Sequence, residues 1–170
     1  MPQTSYLREF GYPYAGQIAD GNPIRSKSVL NKTGGSFNAG LAVKNNGTVG
    51  EVTTLAAVDD QIDCVTALKM DTDPDSIAGT YNFHEGVEML GLEQGAVWVA
   101  QDFAVAAGEP VYVRFAAGAG TVNVPGAFGN SADGGACRLV KGAVWLDPGT
   151  GVAGSPALLK IDVLTDQATR

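Results

Sequence analysis

A chain of 170 residues with 45% apolar content has the composition of one soluble globular domain, and its 23 scattered glycines exclude a collagen helix. A net charge of −7, with 11 lysines and arginines thinly spread, excludes the basic stripe a nucleic-acid binder needs. No apolar run reaches the length of a membrane span, and the opening MPQTSYLREFGYPYAGQ has neither the basic nor the apolar part of a secretion signal, so the expectation is a chain made in a cytoplasm with no encoded export route.

Residues 1 to 28 differ from the rest. Tyr6, Phe10, Tyr12, Tyr14 and Ile18 are separated by polar residues, glycines and prolines, and no helical period survives that spacing. Tyr12 precedes a proline, which favours extended backbone. Such a segment is either a first strand with a loop or an extended arm whose aromatics pack on another subunit. The arm is the reading adopted, with 29–170 as a single β-rich body.

From residue 36 the punctuation is regular. FNAGLAVKNNGTVGEVTTL reads as strand, turn, strand around Asn46-Gly47. In DDQIDCVTALKM, Ile62, Val65 and Leu68 fit one face of a short helix or a twisted strand. DTDPDSIAGTYNF is a polar loop. The segments GVEMLGLEQGAVWVA, GTVNVPGAFGN, CRLVKGAVWLD and PALLKIDVLTD are short apolar or alternating runs bounded by turn residues. Within DFAVAAGEPVYVRF, Gly108 supplies a turn, Pro110 opens a strand, and Val111, Val113 and Phe115 alternate with outward Tyr112 and Arg114. Glu109 is then an exposed turn carboxylate with no catalytic partner nearby. The tetrapeptide GAVW occurs at 95–98 and again at 142–145, and both Trp98 and Trp145 are expected in the core. Strands at near-regular spacing without intervening amphipathic helices predict an all-β sandwich or barrel with an extended N-terminal arm and room for one short helix.

The residues that usually carry chemistry do not assemble into a motif. His84 is the one histidine, and no nucleophile signature accompanies it. Asp71, Asp73 and Asp75 begin like a calcium loop, yet Ser76 and Asn82 stand where that loop requires Gly and a bidentate Glu. Asp59, Asp60 and Asp63 lie in a polar run and read as a solvated face. Cys64 and Cys137 have no zinc or CxxC spacing and read as free buried thiols. No catalytic residue, metal site or cofactor is expected.

Several pieces, in order, resemble one family, the structural cement proteins that decorate the heads of tailed bacteriophages. YAGQIADGNP resembles its N-terminal Tyr-x-Gly-x-x-Ala-Asp segment, and FNAGLAVK its small-Gly-x-Ala-Val strand entry. GAVWVAQDFAVAAGEPVYVRF resembles its strand followed by Val-x-Ala-Gly-Asp/Glu-Pro-Val-Tyr-Val. GAFGNSADGGACRLVKGAVWLDPGTGVAGSPALLKIDV resembles its closing section. The pieces cover about two-thirds of the chain, while residues 51 to 85 match nothing in the pattern and read as a variable insertion.

The resemblance implies a non-enzymatic virion protein on the outer capsid surface. It implies the major capsid protein as partner, self-association as a homodimer or homotrimer, and neither nucleic acid nor membrane. Tyr6, Phe10, Tyr12, Tyr14 and Ile18 are the expected partner-binding residues. Two other classes stay open: a carbohydrate- or receptor-binding β domain using Trp98 or Trp145, and a hydrolase bringing His84 and the aspartates into one pocket.

Overall fold

The computed structural model describes residues 13–19, 25–68 and 82–164. Within them run the strands β1 (Arg25–Asn31), β2 (Phe37–Asn38), β3 (Ala42–Asn45), β4 (Glu51–Thr54), β5 (Cys64–Ala67), β6 (Asn82–Phe83), β7 (Glu88–Ala100), β8 (Tyr112–Arg114), β9 (Phe128–Gly129), β10 (Cys137–Leu139), β11 (Ala143–Asp147) and β12 (Pro156–Asp162). A 3-10 turn covers Asp133–Gly135, and no helix among the described residues is long and apolar enough to cross a membrane.

The first strands close into a barrel. β3 and β4 form the antiparallel hairpin expected around Asn46-Gly47, and Gly47 takes the left-handed φ of 88° that the turn needs. β3 also pairs with β5, β5 with β7, and β1 with both β4 and β7, which completes the circuit β1-β4-β3-β5-β7. Closure leaves these strands without a free edge. Because β4 and β5 are barrel walls, residues 51–67 are integral to the body and not an insertion. DDQIDCVTALKM contributes a strand, not a helix, with all of Cys64–Ala67 buried.

β7 joins two halves of the molecule. Its 13 residues pair with β1 and β5 along the first half. Its second half pairs with β12, which in turn pairs with β11. A second sheet, β10-β8-β9, packs on this extension and places Val111, Val113 and Phe128 against Val97, Val99, Leu159, Ile161 and Trp145. The barrel has its own cluster, including Val29, Val43, Val52, Cys64 and Met89. There Gly91 allows a close approach: a Cβ at this position would stand 2.5 Å from the Cys64 sulfur.

The two GAVW words face opposite ways. In the first, Val97 points into the core and Trp98 is half-buried on the outer face; in the second, Val144 is exposed and Trp145 is buried. The expectation that both tryptophans lie in the core therefore holds for Trp145 alone. The difference follows from the period of two, because Trp98 pairs across the sheet with Leu158 while Trp145 pairs with its inward neighbour Leu159.

Candidate partner-binding site

The N-terminal segment enters the described structure along one edge of β7. Gly16 N–H donates to the Trp98 carbonyl at 2.6 Å, Trp98 N–H to the Gln17 carbonyl at 2.8 Å, and Ala19 N–H to the Ala96 carbonyl at 3.0 Å. Ile18 stands opposite Val97, whose other neighbour is Leu159 of β12, so the clip occupies the edge that β1 covers farther along. Residues 16–19 and β1 thus lie in line on β7, the first opposite 96–98 and the second opposite 88–94.

Gly16 is the residue that makes this possible. Its φ of +89° is left-handed, and any Cβ there would collide with the Cβ of Ala39. Leu68 N–H donates to its carbonyl at 2.9 Å, so Gly16 is bonded on both sides. A turn follows on the N-terminal side, where Gln17 N–H donates to the Tyr14 carbonyl and Tyr14 N–H to Gln17 Oε1. Tyr14 is 43% exposed, two residues before the Gly16 bond to Trp98. Ile18 is half-buried against the protein's own core. Tyr6, Phe10 and Tyr12 lie outside the described residues. Arg25–Ser28, the last residues of the 1–28 span, form the first half of β1.

Two adjacent polar residues follow β7, and both are buried: Gln101 at 0% exposure and Asp102 at 1%. Each fixes one loop. Gln101 Nε2 donates to Ser155 Oγ at 2.8 Å and to the Pro148 carbonyl at 3.2 Å, and its Oε1 accepts from Val105 N–H. Its backbone bonds Ser155 and Gly154 as well. Gln101 therefore holds residues 148–156. Asp102 Oδ1 accepts from Val122 N–H and Asn123 N–H, each at 2.9 Å, and its carbonyl accepts from Thr121 N–H. Asp102 therefore holds residues 116–126.

The charge on Asp102 is balanced by Arg114. The guanidinium places Nε and Nη2 at 2.7 and 2.6 Å from Oδ2. Nη2 also lies 2.6 Å from Oδ2 of Asp133, and Nη1 donates to the Ala116 carbonyl at 3.1 Å. Asp133 in turn accepts from Ala119 N–H at 2.8 Å. A Cβ on Gly118 would strike the Asp133 carboxylate, and one on Gly120 the Asp102 carboxylate, so the loop follows the contour of the two anions. Burial works to lower the Arg114 pKa, but hydrogen bonds to Asp133 and Asp102 outweigh it and raise it. The Arg114 guanidinium holds the Asp133 carboxyl below the ordinary carboxylate range.

This cluster corrects two expectations for DFAVAAGEPVYVRF. Val111 and Val113 point inward as the alternation requires, but Arg114 is also fully buried, because two carboxylates neutralise it there. Glu109 is half-buried, not exposed. Its Oε2 accepts from Ala106 N–H at 2.8 Å and from Asn130 Nδ2 at 2.7 Å, tying the turn to the strand end after β9. Only a structural role follows from these contacts.

The other polar candidates are dispersed. His84 Nδ1 lies 2.8 Å from Ser36 Oγ, both exposed and flanking the β2–β6 pair, while Glu85 Oε2 accepts from Gly34 N–H. Asp60 accepts from Lys44 Nζ and from Ala56 and Ala57 N–H; burial works to raise its pKa, and these donors overcome that and lower it. Asp63 pairs with Lys27, which also meets Glu93. Burial pushes the Cys64 thiol up to about 12 and the Cys137 thiol up to about 11. Asp71, Asp73 and Asp75 fall outside the described residues. Among the described residues, no group of three or more His, Cys, Asp or Glu side chains is placed to hold a metal ion.

Comparison with known proteins agrees with this geometry. Residues 1–163 match the family described as structural cement protein (E217 gp24/Pam3 gp6). The fold is similar to that of a chain in a solved structure described as the capsid of Myoviridae phage XM1. The TM-score is 0.65 at 16% identity, covering 94% of this chain and 96% of that one. No curated protein matches the sequence.

Proposed function

The chain belongs to the structural cement protein family of phages, and from that premise we propose that it binds the outside of the capsid shell and clamps neighbouring major capsid protein subunits. Family membership makes it a virion-associated structural protein that stabilises the capsid. The finer reading assigns the clamping to two parts, an N-terminal arm and a rigid barrel body, acting without catalysis.

The observation that carries the division is the clip at residues 16–19. Gly16, Gln17 and Ala19 bond to β7, and Ile18 packs on the body's own core. Ile18 then serves as an anchor within the chain. Tyr14 and the preceding Tyr6, Phe10 and Tyr12 are left as the residues that meet a neighbouring subunit. Aromatic side chains are the usual anchors of such contacts because they bury much area for little lost conformational freedom. An arm plus a body footprint reaches the size of a standard interface, about 1,600 Å². Repetition over a shell multiplies the effect of each contact. Self-association as a dimer or trimer on the shell belongs to the same proposal.

Mass spectrometry of purified particles tests this reading. The account expects the chain at copy numbers comparable to the shell protein, and particles stripped of it to burst at a lower temperature. Trace copy number, or unchanged particle stability, would overturn it.

A further inference from the structure

The loops held by Gln101 and Asp102 share a composition. Residues 116–126, AAGAGTVNVPG, and 148–156, PGTGVAGSP, contain no charged side chain, in a chain carrying 29 charged residues (11 basic and 18 acidic). The two are neighbours: a Cβ on Gly154 would stand 3.3 Å from the Thr121 methyl. Ala117, Ala119 and Thr121 are exposed on the first loop, and Val152 on the second is 61% exposed.

Each loop is fixed from within. Five backbone N–H groups of the first, from Gly118, Ala119, Thr121, Val122 and Asn123, donate to Asn123 Oδ1, to the Asp133 carboxylate, or to the carboxylate and carbonyl of Asp102. The second is closed by Gly151 N–H to the Pro148 carbonyl, Ser155 N–H to the Val152 carbonyl, and Thr150 Oγ1 to Ser155 Oγ at 2.6 Å. Asp102 is buried and Asp133 largely covered beneath the first loop, both paired with Arg114, and Asp147 caps Gly149 from the rim of the second; the side chains of the two loops carry no charge of their own, and their backbone is already ordered. A surface of this kind gives up little on association. It has no charge to desolvate and few rotamers to freeze.

Its position adds the partner. Both loops are held at the Gln101 end of β7, the end where Gly16 and Gln17 bond Trp98. The hairpin turn around Gly47 lies at the other end, where Gly50 bonds Leu30 opposite Glu88. The 13 residues of β7 separate the two ends by about 40 Å.

We propose that loops 116–126 and 148–156 form one charge-free contact surface that seats on a neutral patch of the shell subunit, with the Val152 side chain entering an apolar recess. The inference rests on the cement reading above and places the body's contact at the arm end of the barrel. Small side chains and exposed glycines allow close approach of the opposing backbone, and Val152 supplies the sizeable apolar group that is exposed, since Val122 and Val124 pack partly on the core.

Charges of either sign on this surface test it. Val152→Glu, Val152→Lys, Ala117→Glu and Ala117→Lys are mixed with undecorated capsids and sedimented, with Val49→Glu and Val49→Lys, at a 98% exposed site on the far hairpin turn, as controls. Melting of each free variant within a few degrees of the parent shows that the fold is intact. The expected result is that both signs weaken attachment roughly tenfold or more at Val152 and at Ala117, and neither does so at Val49. Loss with one sign alone would mean that the opposing surface is charged, and the proposal falls. Full attachment of all variants also overturns it, leaving a clamp that works through the arm. Failure of the unmodified protein to attach would instead overturn the cement reading itself.

Discussion

Arg114 and Asp102 form a buried ion pair in which Nε and Nη2 lie 2.7 and 2.6 Å from one carboxylate oxygen. Neither residue is more than 1% exposed. Removing the carboxylate leaves a guanidinium in the interior with only Asp133 opposite it, and frees the N–H groups of Val122 and Asn123. Asp102→Ala is expected to lower unfolding free energy by about 3–5 kcal/mol in urea denaturation. A loss below about 1 kcal/mol would show that the pair does not hold the loop.

Acid should loosen this cluster and the separate Lys44–Asp60 pair. Asp133 is held below the usual carboxylate range by Arg114, and Asp60 is lowered by Lys44 and two backbone donors against the opposing effect of burial. A carboxyl with a depressed folded-state pKa stabilises the fold above its unfolded value of about 4, and that contribution is lost as pH falls through the folded value. Stability should therefore be level from pH 7 to about 5 and decline below about 4. Asp133→Asn should flatten the decline, and a curve parallel to the parent's would refute the assignment.

The thiols should be silent in the native state. Burial pushes Cys64 up to about 12 and Cys137 up to about 11, so almost no thiolate exists at pH 8. Ellman's reagent at pH 8 is expected to label neither on the time scale of minutes, and both at once in denaturant. Rapid native labelling of Cys64 would mean that the barrel opens far more readily than its closed pairing implies.

Gly91 and Cys64 should be energetically coupled. A methyl on Gly91 would stand 2.5 Å from the Cys64 sulfur. Gly91→Ala is expected to cost about 1–3 kcal/mol through overpacking, with much of it recovered in Gly91→Ala/Cys64→Ala. Strictly additive single-mutant effects would count against that close contact.

Much of this architecture is legible in the sequence because it is local. The Asn46-Gly47 turn, the period of two at Val111 and Val113, and the glycine spacing lead to an all-β sandwich or barrel. Arg114 is read wrongly from alternation alone, since its partners stand 12 and 19 residues away in sequence. The pairing of Ile18 with Val97 is equally invisible, because a short segment rich in glycine and proline carries no register of its own. Asp102 and Gln101 look like ordinary loop polars until the loops they hold are folded around them. The family motif Ala-Gly-Glu-Pro draws attention to Glu109, while the residues that shape the neighbouring surface stand just before it.

The central claim is that the arm clamps the shell while the clip at 16–19 belongs to the body. Two truncations separate these parts. Removing residues 1–12 leaves every described contact of Gly16, Gln17 and Ile18 in place, whereas removing residues 1–20 also uncovers the β7 edge at 96–98. The most direct measurement is sedimentation of each truncated protein with undecorated capsids, alongside its melting curve. The account predicts that removal of 1–12 leaves melting unchanged and weakens attachment by orders of magnitude, since hot-spot aromatics contribute ~2 kcal/mol or more each. It predicts that removal of 1–20 lowers the melting temperature as well. Full-stoichiometry attachment by the protein lacking residues 1–12, with its fold intact, would contradict the clamp.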